Sequence, residues 1–381
     1  MAKKKEEAPK ELTQAEQSKQ FDALFAIADK SNEYASTLDD DSLASVDKWL
    51  STGFHALNGI ISTDLYKGIP CGRVTTLFGP SQSGKSLLSA LIQKAAQKEG
   101  MRVILFDSEF DKDGRMEASF GVDTTLVKTM PVETVEDLIK QASKLYDTII
   151  DNKGLHGKVL VVIDSLGALS TDKEVRDINE NKVTMDMGLK AKLVKTLFKK
   201  LASRSALSKC PCLVINHEIA NPGKQYESIF KDQGGGQAIE FFSSVMIHIG
   251  KTKLKEDVKN DFDVETMFTK AKTTGQNLNL FTQKNRYAMP HKQVECYLNY
   301  QNGIDPYSGL KPLLDELECL YLKSAKGEIG TGRTWYIKID GEEVKLGEWN
   351  QWKNDAEIWD THILPELNKI TGKLLGFEKH G

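Results

Sequence analysis

The stretch Gly79-Pro-Ser-Gln-Ser-Gly84-Lys85-Ser86 decides the fold, because it matches the pattern G-x-x-x-x-G-K-[ST] at every position. An apolar strand-like run, Arg73–Phe78, precedes it, and a helical pattern, Leu87–Glu99, follows it. In this context the glycines let successive backbone N–H groups converge on a phosphate, and the helix N-terminus adds its dipole. A glycine-rich turn without a ligand is the alternative, and the complete strand–loop–helix context argues against it. The sequence therefore predicts a nucleotide site.

The residues of this loop have expected roles toward ATP and Mg²⁺. We expect Lys85 to reach the β- and γ-phosphates and the Ser86 hydroxyl to bind Mg²⁺. Contacts to the nucleotide are expected from the whole segment, which comprises Gly79, Pro80, Ser81, Gln82, Ser83, Gly84, Lys85, Ser86 and Leu87.

Two carboxylates follow neighbouring apolar runs. Asp164 closes the run Val159–Ile163, where it either holds Mg²⁺ or caps the next helix; beside a phosphate-binding loop we favour the metal. Glu109 follows the run Arg102–Asp107. It could orient an attacking water and take its proton, or be an exposed loop carboxylate or ion-pair partner, and position alone does not separate these.

Apolar runs alternate with helical stretches between about residues 50 and 310. Such alternation predicts an α/β fold whose mostly parallel sheet is covered on both faces. The expected strands are Arg73–Phe78, Arg102–Asp107, Leu126–Thr129, Val159–Asp164, Cys212–Asn216 and Val245–Ile249.

We expect three segments: an N-terminal tail with a helix (1–45), an ATPase core (46–310) and a small α+β C-terminal domain (311–381). Thr13 and Glu16 form a possible capping box for a helix near 14–30. This helix either packs on its own domain or docks on another subunit. Four of the five Trp residues fall in the last segment, where they are more typical of a core than of a ligand cage.

Composition excludes several classes of protein. The 381 residues carry 51 Lys and Arg against 54 Asp and Glu, a net charge of −3, so bulk charge does not coat a polyanion. Apolar runs such as Val159–Ile163 are too short to span a bilayer, and no apolar stretch directly follows the basic N-terminus. The five scattered Cys disfavour a zinc site and fit a reducing compartment. We expect a cytoplasmic protein.

A nucleic acid would therefore have to bind to local basic or aromatic features of the protein. The helical stretch Leu189–Lys209 has seven basic and no acidic residues. Its lysines Lys192, Lys195 and Lys199 either form a solvated face or contact a polyanion. Two polar loops, 167–188 and 218–236, leave the carboxyl ends of strands, the side where open α/β sheets bind ligands. Basic and aromatic loop residues suit single-stranded nucleic acid. The expected DNA-binding residues are Lys182, Met187, Gly188, Lys224, Tyr226, Phe230, Lys231, Gly234, Gly235 and Gly236.

Further motifs follow one another along the chain. Besides the glycine-rich loop, they are Ser51–Asn58, Phe106–Phe110, Val161–Leu166, Val214–His217, Gly234–Gly236 and Gly303–Gly309. In this order they resemble the motifs of the RecA family of recombinases, most closely those of the tailed-phage UvsX type. The glycine-rich loop is generic, whereas the ordered set, with a Glu 24 residues after Lys85, is specific.

The resemblance implies roles for individual residues. Glu109 would be the catalytic carboxylate, and His217 would sense the γ-phosphate at the root of the second of two DNA-binding loops. Cellular RecA proteins usually carry Gln at that position. Lys284 and Arg286 would reach the ATP of a neighbouring subunit; a surface basic turn is the alternative. The helix near 14–30 would be the family's docking arm.

The function implied is an ATP-dependent recombinase that polymerises on single-stranded DNA, pairs it with a homologous duplex and hydrolyses ATP with Mg²⁺. A single-strand-binding protein and a loading mediator would be its partners, and the host bacterial cytoplasm its location if it is a phage protein. A ring-shaped helicase motor with the same core is the second reading. An ATP-gated adaptor that hardly hydrolyses is the third.

Overall fold

The computed structural model describes residues 13–37, 43–180, 182, 187–219, 232–252, 275–299 and 303–376. These residues belong to two compact units that divide between Asp47 and Lys48. Within the described ranges, no helix combines the length and apolar character needed to cross a membrane.

The secondary structure has the following bounds. The helices are α1 Gln14–Ser31, α2 His55–Ser62, α3 Lys85–Lys98, α4 Gly114–Ser119, α5 Val135–Asp151, α6 Asp172–Asn179, α7 Met187–Ser208, α8 Gln237–Phe242, α9 Lys311–Leu314, α10 Trp349–Trp352, α11 Ala356–Ile358 and α12 Leu364–Leu375. The strands are β1 Trp49–Leu50, β2 Ile69–Pro70, β3 Val74–Gly79, β4 Arg102–Asp107, β5 Val127–Pro131, β6 Val159–Asp164, β7 Cys212–Ile219, β8 Asp232–Gln233, β9 Val245–Thr252, β10 Gly275–Asn285, β11 Gln293–Asn299, β12 Gly303–Ile304, β13 Leu320–Lys323, β14 Thr334–Ile339 and β15 Glu342–Glu348.

The main sheet has the order β12-β11-β10-β9-β3-β7-β6-β4-β5, and β8 pairs with β7. The six strands from β9 to β5 in this order run parallel to their neighbours. β10, β11 and β12 extend the sheet in antiparallel fashion beyond β9. The predicted α/β fold with a mostly parallel sheet is confirmed.

Both faces of this sheet are buried, as the continuous apolar runs predict. In β6, Leu160 and Val162 belong to the hydrophobic cluster that includes Ile92 of α3. The intervening Val161 and Ile163 belong to the second cluster, with α5 and α7. Because successive side chains of a strand point to opposite faces, a run without polar residues fits a strand covered on both sides.

The segment 167–188 is not the unstructured loop that its polar composition suggested. It contains α6, an eight-residue helix. Thr171 caps this helix: its side chain accepts from the Glu174 N–H, and the Glu174 side chain accepts from the Thr171 N–H. Two backbone donors are thereby satisfied reciprocally, which starts a helix even in a polar sequence.

The tryptophans of the last segment form a core, as predicted. Trp352 and Trp359 are fully buried, with rings 5.8 Å apart, and Trp349 meets Trp352 edge-on at 4.8 Å. They lie beside the three-stranded antiparallel sheet of β13, β14 and β15.

The N-terminal unit consists of α1 and short flanking segments. The predicted capping box is present, with Thr13 and Glu16 as its members. Phe21, Leu24 and Phe25 on this helix are each more than half exposed. An amphipathic helix with an exposed apolar face is suited to binding a partner.

Candidate nucleotide and DNA site

The loop between β3 and α3 has the backbone geometry of a phosphate-binding turn. Gly84 has φ +89° and Gln82 has φ +57°, so the chain turns sharply before the helix begins. A Cβ at Gly79 would overlap the carbonyl oxygen of Ile249, so only glycine fits there. The buried Lys85 Nζ donates to the carbonyl oxygens of Gly79, at 3.1 Å, and Pro80, at 2.7 Å. Lys85 thus lies folded against the turn that it is expected to serve.

A cleft of about 340 Å³ opens beside this turn and brings most of the predicted nucleotide-site residues together. The lining residues are Ser81, Gln82, Ser83, Gly84, Lys85, Ser86, Leu87, Glu109, Met116, Asp164 and His217. The carboxylates come from the ends of β4 and β6, which are adjacent strands, and His217 comes from β7, which pairs with β3 so that His217 lies opposite Gly79. Parallel strands therefore bring distant segments of sequence to one edge.

Glu109 is held as an ionised carboxylate. Its Oε1 accepts from the Ser165 hydroxyl at 2.5 Å and lies 3.0 Å from Nε2 of His217. Partial burial opposes ionisation, but these hydrogen bonds and the nearby Lys112 lower the pKa of Glu109 below its usual value. An ionised, oriented carboxylate in a cleft can accept a proton from water.

Asp164 is buried and carries a cation partner. Lys112 Nζ forms an ion pair with Asp164 Oδ2, and the side chains are only 13% and 6% exposed. Burial raises the pKa of Asp164, and the charge of Lys112 opposes that rise. Ser86 and Asp164 line one cleft with hydroxyl and carboxylate oxygens, the ligands that Mg²⁺ prefers, and Asp164 has a cation, the Lys112 ammonium, as its partner. Ser86 and Asp164 therefore fit the predicted Mg²⁺ site.

Two serines join the ends of β4 and β6 through hydrogen bonds. Ser108 Oγ donates to the Ser165 carbonyl oxygen at 2.6 Å, and the Ser165 N–H donates to Ser108 Oγ at 2.9 Å. Asp107 Oδ1 accepts from the backbone N–H of Glu109 at 3.1 Å, which fixes the start of the turn that carries Glu109. The position of the candidate base is thus set by both strands.

Both candidate DNA loops begin or end against His217. The side-chain amide of Asn216 donates to the Gly234 carbonyl oxygen at 2.7 Å, so the end of the second loop is tied to β7. At the start of the first loop, a Cβ at Gly167 would come within 3.2 Å of the His217 ring, so the backbone there lies directly on the histidine. One side chain thus touches the candidate base and adjoins both loop roots.

Comparison with known proteins agrees with this geometry. The sequence profile of the RecA N-terminal domain matches residues 27–305. The chain therefore belongs to the RecA family. The protein named RecA from Chlorobium chlorochromatii is 29% identical over 306 residues, which is 78% of each chain. The protein named RecA from Chlorobaculum parvum is 31% identical over 267 residues, which is 70% of each chain. The RecA of Clostridium botulinum is 25% identical over 348 residues, 88% of this chain and 89% of that one.

The candidate DNA-binding residues of this RecA-family chain fall into three groups. Lys182 is exposed and pairs with Glu180 at 2.7 Å, Met187 is the first residue of α7, and Gly188 is exposed in its first turn. Gly234, Gly235 and Gly236 lie between β8 and α8 and are partly or fully exposed. Lys224, Tyr226, Phe230 and Lys231 lie outside the described residues.

The basic face of α7 is solvent-exposed, as its spacing predicts. Val194, Leu197, Phe198 and Leu201 are buried in the core. The lysines that project from the opposite side are exposed; they are Lys192, Lys195 and Lys199.

Lys284 and Arg286 are not among the residues found to line the cleft of their own subunit. Lys284 Nζ donates to the Glu240 carbonyl oxygen, and the Arg286 guanidinium donates to the Phe241 carbonyl oxygen at 2.9 Å. Both cations therefore sit at the C-terminal end of α8, where the helix dipole favours positive charge. Burial, and then the charge of Arg286, lower the pKa of Lys284 to about 8.

Several residues near the site had no role in the sequence analysis. They include Ser108, Lys112, Met116, Glu117, Ser165 and Asn216. Asn216 belongs to a motif that we quoted, so its position gave a signal. Lys112 and Glu117 gave none, because their role depends on Asp164, which is about fifty residues away in sequence.

Proposed function

We propose that this RecA-family chain is an ATP-dependent DNA recombinase. It polymerises on single-stranded DNA, pairs that strand with a homologous duplex and exchanges strands, and DNA stimulates its hydrolysis of ATP. The contact between His217 and Glu109 carries the proposal, because it joins the nucleotide cleft to the roots of both candidate DNA loops. The likeness to tailed-phage UvsX recombinases rests on the sequence motifs and is part of the proposal, as is action in the host cytoplasm.

Each residue of the nucleotide cleft has its own role. The backbone of the β3–α3 turn and Lys85 bind the phosphates, and Lys85 exchanges the carbonyl oxygens of Gly79 and Pro80 for phosphate oxygens. Ser86 and Asp164 would hold Mg²⁺, which would neutralise charge on the phosphates. Glu109, kept ionised by Ser165 and His217, positions the attacking water and takes its proton.

Lys284 and Arg286 complete the site of a neighbouring subunit. Their place at the end of α8, outside their own cleft, supports a role in trans. A cation supplied across an interface neutralises transition-state charge only after assembly, so hydrolysis is confined to the polymer. Because α8 follows directly from Gly236, the same contact would report the state of the second loop.

DNA binding uses both loops and the lysine face of α7. Phosphate contacts from lysines predict a steep loss of affinity with salt despite the net charge of −3. The helix α1, with its exposed apolar side chains, docks on the next subunit; a head-to-tail contact of this kind that does not close builds a helical filament. A single-strand-binding protein and a loading mediator are the expected partners.

A ring-shaped helicase motor is the second candidate, because the Lys284-Asn-Arg286 arrangement at a subunit edge would serve a ring equally well. An ATP-gated adaptor is a weaker third, since the ionised Glu109 is equipped for hydrolysis.

ATP turnover with and without single-stranded DNA, followed by strand exchange between circular single-stranded and linear duplex DNA, tests the proposal. A recombinase shows DNA-stimulated turnover and forms joint molecules. Unwinding of a forked duplex without joint molecules would favour the helicase, and turnover that ignores DNA would favour the adaptor.

A further inference from the structure

Beside the nucleotide cleft, Lys112, Asp164 and Glu117 form a buried charge cluster that the proposed function does not use. Lys112 pairs with Asp164, and their side chains are 13% and 6% exposed. Glu117, on α4, is 9% exposed, and its Oε2 has no hydrogen-bond partner among the described residues. A buried carboxylate oxygen without a partner is costly, so it is a ready acceptor for a nearby donor.

Lys112 has a second carboxylate close by in the chain, because Glu117 follows it by five residues, on α4. Glu117 lies close enough to Lys112 and Asp164 for both charges to act on its pKa, which burial raises most. Lys112 pairs with Asp164, the residue expected to hold Mg²⁺, while the buried Oε2 of Glu117 has no hydrogen-bond partner among the described residues.

We propose that Lys112 is an internal counter-ion that competes with the divalent metal for the Asp164 carboxylate and transfers to Glu117 when the metal binds. The inference rests on the proposed binding of a Mg²⁺-nucleotide. Lys112 is a positioning residue in this scheme, because it acts through Asp164. Its charge prevents a buried carboxylate from standing alone in the metal-free protein, at the cost of a higher Mg²⁺ requirement.

The exchange also involves the segment that lines the nucleotide cleft. In the sequence, Lys112 lies between Glu109 and Met116, and both of these residues line the nucleotide cleft. A shift of Lys112 from Asp164 to Glu117 would move its charge toward α4, the helix that carries Met116. Metal binding would therefore adjust the wall of the cleft that faces the nucleotide.

The test is a titration of free Mg²⁺ at a fixed concentration of a fluorescent, non-hydrolysable ATP analogue, with the full chain. Lys112→Met should lower the half-saturating Mg²⁺ about tenfold, because the competing charge is gone. Glu117→Gln should raise it several-fold, since Lys112 loses its alternative partner. Lys112→Arg, which keeps the charge, should remain near the wild type. Lys67→Met, which breaks the exposed pair of Lys67 with Asp64, is the matched control and should change nothing.

Thermal unfolding without nucleotide gives a second readout. In chelator, Lys112→Met should melt below the wild type, because Asp164 is buried without its partner, and Mg²⁺ should raise its Tm more than that of the wild type. If this variant does not fold, Glu117→Gln alone still tests the direction. If Lys112 had only a structural role, Lys112→Met would weaken nucleotide binding, and Glu117→Gln would have the same Mg²⁺ requirement as the wild type. Either result overturns the inference. Failure of the wild type to bind the analogue with Mg²⁺ would instead overturn the proposed function.

Discussion

Nε2 of His217 lies 3.0 Å from Oε1 of Glu109, so a side chain at the root of the second candidate DNA loop touches the candidate catalytic base. His217 belongs to β7 and Glu109 follows β4, and β6 lies between these two strands in the sheet. The contact therefore depends on the order of the strands and on both side chains reaching over the end of β6. In the proposed function, this contact is the route by which nucleotide state changes DNA affinity.

Replacing His217 tests this route. We expect His217→Ala to abolish the rise in affinity for single-stranded DNA that ATP produces, whereas His217→Gln should keep most of it, because an amide N–H can still donate to Glu109. Fluorescence anisotropy of labelled oligonucleotide with and without a non-hydrolysable ATP analogue measures both. Loss of the effect in His217→Gln would show that the charge of histidine is required.

Glu109→Gln should slow ATP hydrolysis about 10²- to 10⁴-fold, the usual contribution of a general base, while ATP binding is kept. The amide preserves shape and hydrogen bonding but cannot take a proton. Single-turnover hydrolysis and nucleotide binding separate the two effects. The exposed Glu316→Gln is a control for the loss of one carboxylate. Full turnover in Glu109→Gln would move the base elsewhere.

Lys85→Ala should remove nucleotide binding and ATP-dependent assembly together. The buried ammonium is the cation of the β3–α3 turn, where it donates to the carbonyl oxygens of Gly79 and Pro80. Light scattering on single-stranded DNA, at rising salt, reports assembly. Filaments that form with ATP and resist salt in this variant would contradict the role of Lys85.

Subunit mixing tests the trans role of Arg286. Arg286→Ala should lower turnover far more than ATP binding, and equal loss of both would remove the residue from that role. A mixture of Arg286→Ala with Glu109→Gln should recover activity, because roughly one interface in four joins an intact Glu109 to an intact Arg286. No recovery in mixed filaments would place both residues in the same subunit's site.

The pKa of Lys284, about 8 in the single subunit, predicts a pH effect on assembly. Contact with a phosphate of the neighbour would raise this pKa, so assembly would take up a proton and weaken as pH rises above about 8. Lys284→Arg, which stays protonated, should flatten that dependence. Assembly that strengthens with pH in the wild type would contradict the assignment.

Much of the fold could be predicted because its signals are local. The strand–loop–helix at 74–98 and the buried runs of β4 and β6 follow from short-range pattern and turn chemistry. Helix α6 was missed because the polar composition of its segment outweighed the capping signal of Thr171 and Glu174. The pairing of Lys112 with Asp164 is purely tertiary: it joins the turn after β4 to the end of β6, and no periodicity encodes it.

Electron microscopy of the full chain on single-stranded DNA with a non-hydrolysable ATP analogue tests the central claim most directly. The account predicts open helical filaments along the DNA that require the nucleotide and are lost in Lys85→Ala. Closed rings, or DNA that remains bare, would contradict it.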